Sequence, residues 1–421
     1  MAKLIEGPAG AGKTTRLIEL VAETSAATPL AAHQAVLALT FMHGSRRRMH
    51  ARLGKIIKAR SGFHCSTFDS LARTILERWS ALLRAVRPEC ILKARDFDGT
   101  CTLAGELIER NEVCSWIAAR FPLVIVDEAQ DLDEHRLRML KALSKRVTVF
   151  AAADEFQDLR ATCPNDAVTW LRANSDIEPL STNHRTKCQA LRDASLAIRD
   201  GRMPQPGRGF AIKRVPTSNL AAWHIASAIQ NLGSDTLAVL SPSNTPFATS
   251  ALKRLGQSPL GQSWKVGPYS VTWDKRDAEE VEDLLKQLSL PHECPVAQLQ
   301  AVLKAGSVYH EQLSSWVRKL VLYGGAATLT KDMVREKIEE LVHSRRSFNI
   351  GEERKTAAMT IHQAKNREFG TVVLLWPQIG SKWTVAQQQR LLYNGVTRAK
   401  KSCVIVVHEP KISGRLEALF K

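Results

Sequence analysis

Long apolar stretches, paired cysteines and repeats are all missing from this sequence of 421 residues. No apolar run reaches the ~18 residues that a membrane span needs, so we expect no membrane partner. The eight cysteines contain no C-x-x-C pair, which favours reduced thiols in a cytoplasmic protein over a metal site or a disulfide framework. The first predicted strand starts almost at the N-terminus, so we expect no signal or transit peptide.

Acidic residues are also missing between Glu23 and Asp69, in an interval that is rich in arginine and lysine. The whole chain has 59 Lys and Arg against 42 Asp and Glu, a formal charge of +17. A solvated helix face is one interpretation of the basic interval, but such faces usually carry both signs of charge. A surface of one sign favours a polyanion partner, most simply nucleic acid, with Arg46 and Arg47 as candidate contacts.

The first motif is a phosphate-binding loop. The sequence GPAGAGKT at 7–14 fits the pattern G-x-x-x-x-G-K-[ST] and stands between a short apolar run and an amphipathic stretch. Such a strand–loop–helix unit points backbone N–H groups at a polyphosphate, with Lys13 on the terminal phosphates and Thr14 on Mg²⁺. A glycine-rich structural turn is the alternative interpretation. The candidate nucleotide-binding residues of this loop are Gly7, Gly10, Gly12, Lys13, Thr14 and Thr15.

Two further apolar strands deliver polar residues suited to phosphoryl chemistry. The strand predicted at 123–126 is followed at once by Asp127 and Glu128. The first carboxylate can hold Mg²⁺, and the second can orient and deprotonate the attacking water. The strand predicted at 147–152 delivers Asp154 and Gln157, a pair that could sense the terminal phosphate.

The remaining pattern predicts an α/β fold built from parallel sheets. Strands alternate with helices through the first half, a Gly- and Pro-rich link follows at 201–209, and a second alternating series begins at 235. The stretches 77–121 and 278–343 read as helices. The 421 residues suggest about two or three domains, and 44% apolar residues are enough for real hydrophobic cores.

In order along the chain, several segments resemble motifs of superfamily 1 helicases of the UvrD/Rep type. In the first half these are GPAGAGKTT at 7–15, LTFMHGSRRRMHARL at 39–53, CSTFDSLARTIL at 65–76, LVIVDEAQDLDEHRL at 123–137, AADEFQDL at 152–159 and LSTNHRT at 180–186. In the second half they are AVL at 238–240, TIHQAKNREFGTVVLL at 360–375 and RLLYNGVTRAKKS at 390–402. An ordered series of motifs is far more specific than any single member.

The resemblance implies two RecA-like P-loop domains with small helical insertions and with ATP and Mg²⁺ between them. The implied boundaries are 1–186 for the first domain, with an insertion at about 77–121, and 187–290 with 356–421 for the second. A reduced helical insertion would occupy 291–355. Full-length members of the family carry two large insertions, so the strand-separating parts are reduced here.

The resemblance also implies a role for each matching residue. Asp127 and Thr14 would hold Mg²⁺, and the catalytic set would be Glu128, Gln157, Arg185 and Arg398. Glu368 would meet the nucleotide sugar. His184 stands where the family commonly has the tyrosine that stacks on adenine, and the family's glutamine-bearing adenine motif is missing. The resemblance therefore leaves the use of nucleotides other than ATP open. The implied nucleic-acid contacts are Thr40, Phe41, Thr67, Phe68 and His362.

The resemblance implies a DNA-stimulated ATPase that moves along single-stranded DNA in the 3′-to-5′ direction and that acts on tailed duplexes. Three alternatives stay open from the sequence alone. The protein could be a translocase that unwinds only with a partner protein, or a nucleotide-switched binding module that hydrolyses slowly. A P-loop kinase is disfavoured, because it would not need the second motif-bearing domain.

Overall fold

The computed structural model of the chain contains two compact units, residues 1–272 with 354–421, and residues 273–353. Within them it describes residues 2–41, 49–54, 62–89, 96–160, 165–261, 265–274, 277–303, 308–324, 327–348, 355–378, 383–410, 414 and 416–420. In this part of the chain, no helix combines the length and the apolar character that a bilayer crossing demands.

A six-stranded sheet, parallel throughout, forms the first half of the larger unit, in the order β3-β2-β4-β5-β1-β6. All residues of β2 and β4 are buried, as expected for strands covered on both faces of a parallel sheet. The strands are β1 Ala2–Glu6, β2 Val36–Thr40, β3 Phe63–Thr67, β4 Leu123–Val126, β5 Thr148–Ala153 and β6 Asp176–Pro179.

Seven helices of this half have defined bounds in the described ranges, and residues 49–54 are helical as well. Several begin at a side chain that accepts the first free backbone N–H groups, such as Thr67, Asp133 and Asn165. The helices are α1 Lys13–Ala27, α2 Phe68–Arg78, α3 Ser80–Val86, α4 Phe97–Ile108, α5 Asn111–Arg120, α6 Glu134–Ser144 and α7 Asp166–Asn174.

A second parallel sheet of five strands completes the larger unit, in the order β9-β8-β10-β11-β7. Its strands are β7 Phe210–Val215, β8 Leu237–Ser241, β9 Thr356–Thr360, β10 Phe369–Trp376 and β11 Ala399–His408. The helices around it are α8 Gln189–Arg199, α9 Ser218–Gln230, α10 Pro246–Gln257 and α11 Val385–Val396. A capping box, in which Thr384 and Gln387 bond each other's backbone, starts α11.

The smaller unit is helical, with one short antiparallel pair of strands, Glu293–Pro295 and Thr328–Thr330. It has its own buried cluster of leucine, valine and isoleucine side chains. Its helices in the described ranges are Asp277–Leu288, Val296–Val302, Val308–Gly324 and Lys331–Phe348.

The α/β class with parallel sheets is confirmed, and most apolar runs became strands close to their predicted bounds. Three strands of the larger unit escaped the sequence analysis: β3, β6 and β7, whose polar or mixed residues hide the strand pattern. The two short strands of the smaller unit were missed as well. The helical character of 77–121 and 278–343 is confirmed where residues are described. The domain boundaries at 186, 290 and 355 stay predictions.

Candidate active site at the junction of the two sheets

The loop between β1 and α1 has the conformation that its glycines allow. Gly10 and Gly12 have φ angles of +81° and +83°, a left-handed region that glycine enters without steric cost. A methyl group on Gly7 would lie 2.5 Å from the carbonyl oxygen of Leu180. A Cβ at Gly10 would likewise lie 2.6 Å from Arg185, so larger residues would clash at both positions. The loop leads directly into Lys13, the first residue of α1.

Lys13 and Thr14 turn their polar ends toward the loop and toward β4. The Lys13 side chain is 8% exposed, and its Nζ donates to the carbonyl oxygens of Gly7 at 2.9 Å and Pro8 at 3.1 Å. The Thr14 hydroxyl donates to Oδ2 of Asp127 at 2.9 Å. Thr15 is exposed on the next helical position. A hydroxyl oxygen and a buried carboxylate side by side are hard ligands of the kind that Mg²⁺ takes.

Glu128 follows Asp127 in a strained backbone conformation. Its φ and ψ angles of 58° and 44° are left-handed, which is uncommon for a residue with a side chain. Gln130 donates to Oε2 of Glu128 at 2.5 Å. Burial opposes ionisation, yet the charges of Lys13 and Lys365 hold the pKa of Glu128 below its usual range. Glu128 is therefore an ionised, oriented carboxylate, which suits a general base.

The pKa of Asp127 is shifted in the opposite direction to that of Glu128. Burial and the neighbouring charge of Glu128 raise the pKa of Asp127 to about 6, against the opposing effects of Thr14 and Lys13. Its carboxylate therefore costs free energy in the nucleotide-free protein above pH 6. A cation bound by Asp127 would remove that cost.

Replacing Asp127 with asparagine is expected to stabilise the nucleotide-free protein at pH 8 by about 2–3 kcal/mol. As the pH falls, Asp127 becomes protonated near pH 6 in the folded protein and only at lower pH in the unfolded chain. The unfavourable contribution of Asp127 to stability therefore shrinks as pH falls through 6, and the gain from Asp127→Asn vanishes near pH 4. Urea unfolding from pH 4 to 8 measures this, with Asp176→Asn on exposed β6 as the control. A gain that does not change with pH would contradict the account.

Gln157 and Arg398 meet from opposite sheets. The Arg398 side chain, 2% exposed, donates from Nε to the carbonyl oxygen of Asn394 at 3.1 Å and from Nη2 to Oε1 of Gln157 at 3.4 Å. Burial and the nearby charge of Arg185 lower the pKa of Arg398 to about 10, so it stays charged at neutral pH. This buried guanidinium favours an anion beside it.

Arg185 follows β6 and reaches the second sheet. Its Nε pairs with Oε1 of Glu368 at 2.8 Å, and its Nη1 donates to the carbonyl oxygen of Thr397 at 3.0 Å. Lys400 pairs with the other oxygen of Glu368 at 3.1 Å. Burial acts to raise the pKa of Glu368, but the charges of Arg185 and Lys400 outweigh this effect and keep the pKa below its usual range. Two arginines, 185 and 398, thus stand at one junction.

His184 lies against the phosphate loop, although its side chain is exposed. Its backbone N–H donates to the carbonyl oxygen of Gly10 at 2.7 Å, and a Cβ on Gly12 would lie 3.6 Å from its ring. Asn366, directly after Lys365, has a φ of 63°, a left-handed conformation that asparagine tolerates better than most residues.

The candidate nucleic-acid contacts are placed less favourably. Phe68 is 1% exposed and packs in the core, so its ring is revised from a base contact to a core residue. Phe41 is half-buried, with its ring centroid 5.5 Å from that of Phe68. Thr40 and Thr67 are buried and His362 is exposed. Arg46 and Arg47 lie outside the described residues.

Three residues at this junction were missed as site residues. Tyr393 bonds the phosphate loop, Asp154 gathers several donors, and Lys365 pairs with Asp131 from the other sheet. Asp154 was recognised as a candidate sensor but not as a centre of contacts. All three lie inside quoted motifs, which is the signal that could have found them.

The fold and this site define a P-loop nucleotide-binding protein whose charged residues come from two parallel sheets. The family comparisons agree. Residues 1–214, half of the chain, match the model of an AAA domain, and residues 355–406 match the UvrD-like helicase C-terminal domain. The chain belongs to the UvrD/Rep-like superfamily 1 helicase family, as the motif series predicted.

Among solved structures, the chain is similar to the helicase nonstructural protein 10 of an arterivirus. The crystal structure of that protein is 12% identical, with a TM-score of 0.40, and the match covers 100% of this chain and 62% of the viral one. Its complex with DNA gives 12% identity, a TM-score of 0.39 and coverage of 100% and 63%. The chain thus spans less than two thirds of the viral protein's length. No curated protein sequence matches it.

Proposed function

We propose that this protein hydrolyses ATP at the junction of its two sheets and uses the cycle to move along single-stranded DNA with 3′-to-5′ polarity. The observation that carries the proposal is the approach of Arg398 to Gln157 across the junction, at 3.4 Å. An arginine supplied by one sheet to a phosphate held by the other makes hydrolysis depend on the arrangement of both.

In this proposal each residue has one role. Lys13 and the loop amides bind the terminal phosphates. Thr14 and Asp127 would hold Mg²⁺, which neutralises the charge on the phosphate oxygens. Glu128, ionised and oriented by Gln130, accepts the proton of the attacking water.

The remaining roles concern the transferred group and the rest of the nucleotide. Gln157 contacts the terminal phosphate, and Arg185 and Arg398 stabilise the charge that develops on it. Glu368 would meet the sugar once its pairing with Arg185 loosens. His184 would lie beside the base, and a histidine at this position lets nucleotides other than ATP compete.

The test is ATP hydrolysis by the purified protein with and without a single-stranded DNA oligonucleotide. Strong stimulation supports a strand-coupled motor, and duplexes with 3′ or 5′ tails then measure polarity and unwinding. Hydrolysis that ignores DNA and RNA oligonucleotides alike would overturn the motor. It would favour a switch-like protein or one that needs a partner protein.

Strand affinity is expected to fall with salt, with a log–log slope of about −0.7 for each neutralised phosphate. Replacing Arg46 and Arg47 together with alanine should weaken binding uniformly across sequences and make the slope shallower by about 1.4. Fluorescence anisotropy with a labelled oligonucleotide between about 50 and 300 mM salt measures the affinity and its salt slope. Over this salt range, about two phosphate contacts change the affinity by about tenfold. The double variant Lys253→Ala, Arg254→Ala on α10 is the control. An unchanged slope would remove the basic interval from the binding surface.

A further inference from the structure

Tyr393 on α11 connects the second sheet to two segments of the first. Its side chain is 1% exposed. The hydroxyl accepts a hydrogen bond from the backbone N–H of Ala9 in the phosphate loop at 2.8 Å, and it donates to Oδ2 of Asp154 at 3.2 Å. The ring meets Phe156 edge-on, with centroids 5.0 Å apart. One phenol therefore bonds the loop and the segment that carries Gln157.

The carboxylate of Asp154 is fully buried and collects these contacts. The oxygen that accepts from Tyr393 also accepts from Nε2 of Gln157 at 2.9 Å. The other oxygen accepts from the backbone N–H of Phe156 at 3.2 Å and from Nη1 of Arg199 at 2.6 Å. Because Tyr393 and Gln157 share one oxygen, a displacement of either group changes the bond of the other.

The protonation states fix the direction of each bond. Burial opposes the charge of Asp154, but Lys13 and Arg199 keep its pKa below the usual range, so it accepts only. Burial and the charge of Asp154 raise the pKa of Tyr393, so its hydroxyl keeps the proton that it donates. The N–H of Ala9 can then only donate to the phenol oxygen.

Gln157 is consequently held at both ends by α11 and the turn that follows it. Its Nε2 is fixed through Asp154 and Tyr393, and its Oε1 faces Nη2 of Arg398 at 3.4 Å. A movement of α11 away from the first sheet would break the contact at Oε1 and would also remove the Tyr393 hydrogen bond from the carboxylate that holds Nε2. Arg398 alone controls only one of them.

We propose that Tyr393 is a positioning residue for hydrolysis, which acts through Asp154 to orient Gln157 and which fixes the phosphate loop at Ala9. The inference rests on the proposed function, because the role of Gln157 does. Besides the direct contact of Arg398, it gives the second sheet a second means of acting on Gln157. Arg398 brings charge to the transferred phosphate, and Tyr393 sets the amide that contacts it.

The variant Tyr393→Phe keeps the ring and its contact with Phe156 and removes only the hydroxyl. We expect kcat to fall by about 10- to 100-fold, while KM for ATP changes by less than about threefold. Tyr269→Phe, outside this cluster, is the matched control. Turnover of Tyr393→Phe equal to that of the wild type would overturn the inference.

A double-mutant comparison separates positioning through Gln157 from general destabilisation. If Tyr393 acts through Gln157, then Tyr393→Phe should lower kcat little further in a Gln157→Ala background. An equal fold-loss in both backgrounds would overturn the pathway through Gln157. Thermal unfolding of each variant shows that the compared proteins are folded at the assay temperature.

A measurement without ATP distinguishes failure of this inference from failure of the proposed function. Hydrogen–deuterium exchange at the Ala9 amide of the nucleotide-free protein should accelerate at least about tenfold in Tyr393→Phe and not in Tyr269→Phe. Unchanged exchange would overturn the connection to the loop. A wild-type protein without turnover would instead overturn the proposed function and, with it, the catalytic part of this inference.

Discussion

Replacing Lys13 with alanine is expected to abolish ATP hydrolysis, with a loss in kcat of at least about 100-fold. The ammonium group lies beside the carbonyl oxygens of Gly7 and Pro8, at the mouth of the loop where terminal phosphates would bind. Its removal leaves the loop amides without the positive charge that is proposed to stabilise the transferred phosphate. Phosphate release in the presence of Mg²⁺ and a DNA oligonucleotide measures the effect.

The control for this prediction is Lys253→Ala, which removes one exposed positive charge from α10. It should hydrolyse ATP as the wild type does. Turnover of Lys13→Ala at the wild-type rate would disprove the assignment of the ATP site to this loop. Thermal unfolding checks that both variants are folded, since the Lys13 side chain is buried.

Arg398→Ala is expected to lower kcat by about 10³-fold while nucleotide affinity changes by only a few-fold. The guanidinium comes from the second sheet, and its contact with Gln157 puts it beside the place proposed for the terminal phosphate. The residues proposed to bind the nucleotide, Lys13 and Thr14, belong to the first sheet and stay intact. Binding and hydrolysis should therefore separate in this variant.

A fluorescent nucleotide measures the binding, and steady-state phosphate release measures the hydrolysis. Arg398→Lys keeps the charge without the planar fork and should recover little activity. Arg254→Ala on α10 is the exposed control. Unchanged hydrolysis in Arg398→Ala would mean that the junction between the sheets is not where ATP is cleaved.

The strands that are clearest in the sequence are those buried on both faces. β4, LVIV, and β2, VLALT, are continuous apolar runs, which a fully covered parallel strand requires. β6, DIEP, lies at the edge of the first sheet and is largely exposed, so it carries no comparable signal. Edge strands with mixed composition are therefore the part of this fold that local pattern misses.

The residues of the candidate site likewise divide into those that a local motif reveals and those that it does not. Lys13, Asp127 and Glu128 have roles tied to local motifs, and the sequence alone brings them forward. Tyr393 depends on a contact with Ala9 that no local pattern contains, because the two residues belong to opposite ends of the sequence. Only the packing of α11 against the phosphate loop brings them together.

The order of strands in the second sheet determines when it can form during synthesis. β7 has β11 as its neighbour, so Ile212 waits for Ile405 before it joins the sheet. β8 likewise waits for β9 and β10, which follow the helical unit. Pairings this distant in sequence form slowly and leave strand edges exposed meanwhile. The first sheet is complete once β6 is made. A nascent chain would therefore carry a complete first sheet beside an unfinished, aggregation-prone second sheet, and its phosphate loop would still lack the hydrogen bond from Ala9 to Tyr393.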